Sequence, residues 1–208
     1  MLASDAHLRR ADPVLARLID DYGGPLPEEP DFRGRPADAY GALVRGITGQ
    51  QLSVRAAASI WARFLERYGG TTPTPEQILA DDPDELRVAA GFSFAKVRYL
   101  RSLAEAIVSG TLDLEGLRDE PDAEVVHELT AVKGIGEWTA HLFLMFTLHR
   151  PDVLPVGDLG VRNAAMRAYG LATPPTPQAL RDLAEPWRPY RTRACLYLWR
   201  SLRNEPLA

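Results

Sequence analysis

The chain has 208 residues, a hydrophobic fraction of 46% and a charged fraction of 25%, which is ordinary globular composition and excludes a disordered or collagen-like chain. The single Cys195 excludes an internal disulfide framework and a cysteine-ligated cluster. No apolar run is long enough to span a bilayer, and the polar stretch from Met1 to Arg10 does not read as a signal peptide, so a cytoplasmic protein without a membrane partner is expected.

The pattern is helical throughout, with no sustained period-2 run and no Asn-Gly or Asp-Gly turn. Asp12-Pro13 opens a helix that Gly23 stops. Ser53 caps a second, whose apolar face holds Ile60, Trp61, Phe64, Leu65 and Tyr68 before Gly69. Thr74-Pro75 and Asp82-Pro83 start short helices. Phe94–Val108 is amphipathic and ends before Gly110. Helices over Pro121–Val132, Glu137–Leu148, Asp158–Tyr169, Pro177–Leu183 and Arg191–Leu202 follow. Two Pro/Gly-rich joints, Gly23–Pro36 and Arg150–Gly157, divide the chain into two helical lobes. Residues 37–149 form one lobe; residues 1–36 with 150–208 form the other. A cleft between the lobes is the expected site.

The net charge of −4 conceals an asymmetry. Residues 1–132 carry 14 Lys and Arg against 22 Asp and Glu, whereas residues 133–203 carry 10 against 5. A positive C-terminal third permits a footprint for phosphate, although a mixed surface also fluctuates by chance.

Three segments and a set of aromatic side chains could carry chemistry. In Leu129-Thr130-Ala131-Val132-Lys133-Gly134-Ile135-Gly136-Glu137-Trp138-Thr139-Ala140 a helix ends, a Gly-Ile-Gly turn follows and a second helix begins at once. Glycines there let the backbone approach another surface, and the N–H groups opening the second helix can meet a phosphate. A glycine cap joining two core helices would look the same. In Leu154-Pro155-Val156-Gly157-Asp158-Leu159-Gly160-Val161-Arg162-Asn163, Asp158 is either a helix cap or a reactive carboxylate. The corner Ile47-Thr48-Gly49-Gln50-Gln51-Leu52-Ser53 could push a side chain into a base stack, or could simply be a polar loop before a cap. Trp138 and Trp199, near these segments, could stack on a cationic base, although aromatics at helical spacing usually belong to a core.

Together these segments resemble a known family. Val132 to Ala140 looks like the helix-hairpin-helix of DNA glycosylases, and Leu154 to Asp158 looks like the Gly/Pro-rich loop and aspartate that complete that superfamily's signature, 22 residues beyond Gly136. Ile47 to Ser53, and Glu185-Pro186-Trp187-Arg188-Pro189-Tyr190-Arg191 through Leu198-Trp199, resemble 3-methyladenine DNA glycosylase II, the AlkA type. The resemblance implies an all-α, two-lobed fold without the N-terminal β domain of AlkA itself. It implies a monofunctional enzyme that flips alkylated bases out of double-stranded DNA and hydrolyses the glycosidic bond. Asp158 would be catalytic; Trp138, Trp199 and Leu142 would line the base pocket; Gln51, Leu52 and Gln50 would form the wedge. Lys133, Gly134, Gly136, Thr139 and Arg162 would meet DNA phosphates. Bifunctional members carry a lysine where Trp138 stands, so no lyase step is implied. No cofactor is implied beyond a Na+ or K+ ion on the backbone carbonyls of Thr130, Val132 and Ile135. The protein would act as a monomer on nucleoid DNA. Leu142, where the family has an aromatic, and Gln51, where it has a bulkier wedge, depart from the AlkA pattern and widen the range of lesions in play.

Three other readings share parts of this pattern: a non-catalytic helix-hairpin-helix scaffold that binds DNA, a monofunctional glycosylase for another lesion such as uracil or hypoxanthine, and an all-α protein with two glycine turns. A scaffold needs neither Asp158 nor an aromatic pocket, and a neutral leaving base needs a proton donor that the sequence does not offer.

Overall fold

The computed structural model describes residues 2–23 and 38–202, so most of the expected Gly23–Pro36 joint lies outside the described residues. Among them it is all-helical, with twelve α-helices, two 3-10 turns and no strand. No helix among them is long and apolar enough to cross a membrane.

Helices α1 (Ala3–Ala11) and α2 (Pro13–Tyr22) open the chain. Then come α3 (Ala39–Gly49), α4 (Val54–Arg67), α5 (Pro75–Ala80), α6 (Pro83–Ala90), α7 (Phe94–Val108), α8 (Asp122–Ala131) and α9 (Glu137–Phe146). The last three are α10 (Leu159–Tyr169), α11 (Pro177–Leu183) and α12 (Arg191–Ser201). Local chemistry explains most of the starts. Ser53, Ser93 and Thr176 each accept a backbone N–H three residues on, and Thr74 forms a reciprocal capping box with Gln77. Pro75, Pro83 and Pro177 occupy first-turn positions where no N–H is needed. Gly91 and Gly170 close α6 and α10 in the left-handed conformation.

Two helices were not expected. Helix α1 has no side-chain cap and is held instead by distant partners. Leu8 is buried, and Asp5 receives a two-pronged bond from Arg193 and another from the Tyr197 hydroxyl. Helix α3 was hidden by Gly41, Gly46 and Gly49 and by the β-branched Val44, Ile47 and Thr48, all poor helix formers. Six of its residues, Gly41, Ala42, Leu43, Val44, Ile47 and Thr48, are buried, so packing overrides propensity.

The chain divides into two compact units, Met1–Asp31 with Leu144–Ala208, and Phe32–Phe143. The second division therefore falls inside α9 rather than at the Arg150–Gly157 joint. The last turn of α9 folds onto its own unit: the Leu144 carbonyl accepts the Arg150 N–H at 2.9 Å, and the Phe146 ring lies 5.9 Å from Trp199.

The core of the first unit surrounds Leu8, Leu15, Trp187, Cys195 and Leu198. Asp12 is buried there and satisfied by four donors: the N–H groups of Val14 and Leu15, the Tyr169 hydroxyl and the Trp187 indole. The second unit is centred on Phe64, whose ring meets those of Trp61, Tyr68 and Phe92 at 5.4–5.6 Å. At its edge Arg67 grips Asp81 with two bonds and Tyr68 adds a third, while Arg101 covers the carbonyls of Ile78, Leu79 and Asp81 at the end of α5.

Arg67 holds the Asp81 carboxyl below the usual carboxylate range. A carboxyl acidified by folding stabilises above the unfolded pKa, near about 3.9, and its contribution is lost as pH falls through the lower folded value. Asp81→Asn is expected to cost about 1–2 kcal/mol at neutral pH. That corresponds to a melting temperature lower by roughly 2–8 °C, and the gap should close in thermal melts near about pH 2.

Candidate active site

The hairpin belongs to the second unit. Helix α8 ends at Ala131, Val132 turns extended, and the Ile135 N–H returns to the Val132 carbonyl at 3.0 Å. Gly134 has φ +98°, and a Cβ placed on it would stand 2.1 Å from Cγ of Tyr99 on α7. Glycine is selected there twice, by the sign of φ and by a ring that fills the space a side chain would need. Ile135 is buried and pins the turn, whereas Lys133 and Gly136 are exposed. Helix α9 then starts at Glu137, and its first turn directs N–H groups and the positive end of the helix dipole outward.

Beside the hairpin lies the α3–α4 corner. Gln51 adopts a left-handed φ of +57°, rare for a residue with a side chain, and is exposed together with Leu52. Gln50 turns the other way: its Nε2 donates to the Gly134 carbonyl at 2.9 Å and to Thr139 Oγ1 at 3.3 Å. Lys96, on α7, donates to the Thr48 carbonyl at 2.7 Å, and burial lowers its pKa.

The aspartate belongs to the first unit. The loop before it is fastened to the start of α12. Thr192 Oγ1 donates to the Arg150 carbonyl at 2.7 Å and accepts the Val153 N–H at 3.0 Å, and the Thr192 N–H reaches the Pro151 carbonyl at 3.1 Å. Asp152 holds Arg191 and Arg188. A turn closed by the Asp158 N–H on the Pro155 carbonyl, at 2.8 Å, delivers Asp158 to the start of α10. There the carboxylate is buried, and its Oδ1 accepts both the Val161 N–H at 2.7 Å and the Trp199 indole N–H at 2.9 Å. A Cβ on Gly160 would come within 2.9 Å of Oδ1 and 3.0 Å of the indole nitrogen, so only glycine leaves this pair undisturbed. One turn before Trp199, Cys195 is fully buried; desolvation raises its thiol pKa, and the Asp158 charge raises it further.

The model of the "HhH-GPD superfamily base excision DNA repair protein" family matches residues 44–189, most of the chain. This chain belongs to the HhH-GPD superfamily. It is 36% identical over 203 residues to DNA-3-methyladenine glycosylase 1 of Schizosaccharomyces pombe, covering 95% of this chain and 86% of that one. It is 33% identical over 171 residues to DNA-3-methyladenine glycosylase 2 of Escherichia coli, covering 78% and 57%. The solved structure of the Schizosaccharomyces pombe 3-methyladenine DNA glycosylase in complex with abasic DNA superposes with a TM-score of 0.88 at 34% identity, covering 98% of each chain. A DNA-3-methyladenine glycosidase from Bacillus halodurans superposes with a TM-score of 0.81 at 36% identity, covering 98% of this chain and 90% of that one.

In this HhH-GPD protein the expected site residues sort into those that present themselves and those that brace. Trp138 keeps 40% of its surface exposed on the first turn of α9, and Leu142, one turn on, is half-buried. Lys133, Gly136, Gln51 and Leu52 are exposed. Three residues depart from expectation. Gln50, grouped with the wedge, spends its amide on the hairpin. Thr139, expected on a phosphate, is buried and accepts from Gln50. Arg162 directs Nε to the Pro175 carbonyl at 2.7 Å and so tethers the loop before α11. Trp199 is half-buried and bonded to Asp158, which fixes its ring edge. Sequence reasoning missed Lys96, Tyr99 and Gly160. Their partners lie far along the chain, Thr48 for Lys96, Gly134 in the hairpin for Tyr99 and, for Gly160, Trp199 39 residues away; the one local hint is that Lys96 is one of two lysines in the chain.

Gly134→Ala is expected to destabilise the protein by about 1–3 kcal/mol, since a methyl must displace the Tyr99 ring from a backbone already at positive φ. Denaturant titration measures the loss, and duplex affinity should fall in the same variant.

Proposed function

We propose that this chain is a monofunctional DNA glycosylase that extrudes an alkylated, 3-methyladenine-type base from duplex DNA and hydrolyses its glycosidic bond. The observation that carries the proposal is the Asp158 carboxylate, buried at the start of α10 and held by Val161 and Trp199. The names of the relatives, 3-methyladenine glycosylases from yeast and bacteria, support the choice of lesion.

An alkylated purine of this kind is cationic, so its bond to C1′ is already weak and no strong acid is needed for it to leave. As the C1′–N bond breaks, the electron pair stays with the base and neutralises it, and the sugar acquires oxocarbenium character. A fixed carboxylate stabilises that charge. Water adds its oxygen to C1′, and its proton passes to Asp158 or to solvent. Both donors sit on Oδ1, so the carboxylate cannot swing away from its helix without breaking two bonds. Trp138 would stack on the cationic base. Extrusion costs a few kcal/mol and is cheapest at damaged pairs, with Gln51 and Leu52 filling the vacated space. Lys133 and the backbone N–H groups at Gly134 and Gly136 would hold the phosphate. A Schiff base would need an amine near C1′, and the position two residues past Gly136 holds Trp138 instead. On this reading the protein acts as a monomer in the cytoplasm.

The same reading includes a Na+ or K+ ion on the carbonyls of Thr130, Val132 and Ile135. The Val132 carbonyl, just past the end of α8, accepts the Ile135 N–H and has a second lone pair. Neutral carbonyl oxygens near a helix C-terminus suit a monovalent ion, which would present positive charge to a phosphate.

The test is base release from methylated duplex DNA, with strands analysed before and after alkali. Wild type should release 3-methyladenine and give alkali-dependent breaks, and Asp158→Asn should lower the rate by about 100-fold or more while still binding abasic DNA. Breaks without alkali would refute the monofunctional mechanism, and DNA binding without release from wild type would leave a scaffold.

Trp199→Phe keeps a ring but removes the donor to Oδ1. It is expected to lower kcat about tenfold with KM within about twofold, the signature of an interaction that matters in the transition state.

A further inference from the structure

Gln50, Lys96 and Tyr99 have no part in the reaction as derived, yet all three touch the two loops that would meet DNA. The amide of Gln50 has two N–H groups. One partner is the Gly134 carbonyl, in the middle of the hairpin; the other is Thr139 Oγ1, on the first turn of α9. Gln50 itself is the residue on which α3 ends, immediately before the left-handed Gln51. One side chain thus ties the base of the exposed tip to the turn that precedes α9. Close approach elsewhere makes the tie tight: a Cβ on Gly46 of α3 would already touch Thr139 Cγ2 at 3.4 Å.

Helix α7 supports both loops from beneath. Lys96 and Tyr99 are three residues apart and therefore neighbours on one helix face. Lys96 places its ammonium on the Thr48 carbonyl, among the last carbonyls of α3, which the helix cannot satisfy itself. Tyr99 places its ring against Gly134. The tip and the hairpin are therefore joined directly through Gln50 and indirectly through α7. The left-handed Gln51 follows directly on residues that these bonds hold, Thr48 and Gln50.

We infer that Gln50 is a positioning residue that couples the two loops, so that capture of a phosphate at the hairpin and insertion of the Gln51–Leu52 tip occur as one event. The inference rests on the glycosylase reading for what the loops contact, but not for the coupling itself. A tip held in place before DNA arrives spends no ordering entropy when it enters the stack. An amide committed to the hairpin is also unavailable to pair with the base left behind, which leaves that contact to Gln51.

Gln50→Met removes both donors at similar volume. The probe is a duplex with 2-aminopurine beside an abasic analogue, whose fluorescence reports unstacking whether or not any base is hydrolysed. At saturating protein, Gln50→Met should unstack the probe at least about tenfold more slowly than wild type. Gln51→Ala alone should also slow unstacking; added to Gln50→Met it should cost less than about twofold more, because the tip is already uncoupled. Lys96→Met should act in the same direction, and Lys96→Arg should restore most of the rate. Wild-type unstacking in Gln50→Met, or losses that multiply in the double variant, would overturn the inference. Amide hydrogen exchange at Ile135 and Gly136 supplies a readout that needs no DNA. Faster exchange in Gln50→Met or Lys96→Met than in wild type supports the coupling, and unchanged exchange in both overturns it. Probe unstacking by a wild type that releases no alkylated base would sink the glycosylase reading while leaving the coupling decided.

Discussion

One carboxylate oxygen organises the first unit. Oδ1 of Asp158 takes the N–H of Val161 and the indole N–H of Trp199, and each bond demands something of the chain around it. The Val161 bond makes Asp158 the cap of α10, so the start of the helix and the place of the carboxylate are set together. The Trp199 bond requires α12 to lie alongside, which in turn requires a residue without a side chain at Gly160. Helix α12 holds the other end of the same loop seven residues earlier, through Thr192. Two turns of one helix thus set both ends of the segment from Arg150 to Asp158. The question left open by the sequence, whether Asp158 is a cap or a reactive group, has a structural answer in part. It is a cap, and the capping bond also fixes the position of its carboxylate.

The second unit solves a different problem, holding backbone rather than a carboxylate. A turn made of glycines has little side-chain packing of its own. Rigidity is imported: a buried Ile135 below, the Tyr99 ring filling the space at Gly134, and the Gln50 amide bonded to the Gly134 carbonyl. The left-handed Gln51 is the next residue after Gln50.

Local signals carried much of the fold. The bounds of α7 and α11 follow from caps, prolines and glycines within a few residues, and they were legible. Helices α1 and α3 were not, because Asp5 finds Arg193 across 188 residues and α3 is helical despite its composition. The capping position of Asp158 and the glycine turn were readable because each has a local pattern. The division of labour between Gln50 and Gln51 was not. Two adjacent amides are chemically identical, and what separates them is the sign of one dihedral and a carbonyl 84 residues away. Thr139 misled for the same reason: a polar residue on the first turn of a helix reads as exposed until its partner is known.

Part of the charge asymmetry is spent on structure. The basic excess after residue 132 suggested a footprint for phosphate, yet several of its arginines are already committed. Arg188 and Arg191 bond to Asp152, Arg193 bonds to Asp5, and Arg162 bonds to a backbone carbonyl. These guanidiniums fasten loops and helix ends. What faces outward at the hairpin is Lys133 and main-chain N–H at the start of a helix. Such groups attract phosphate through a local dipole and directed donors, and neither depends on net charge. An acidic chain can therefore meet a polyanion at a small patch, because the relevant field is set within one helical turn and falls off over about 10 Å in salt.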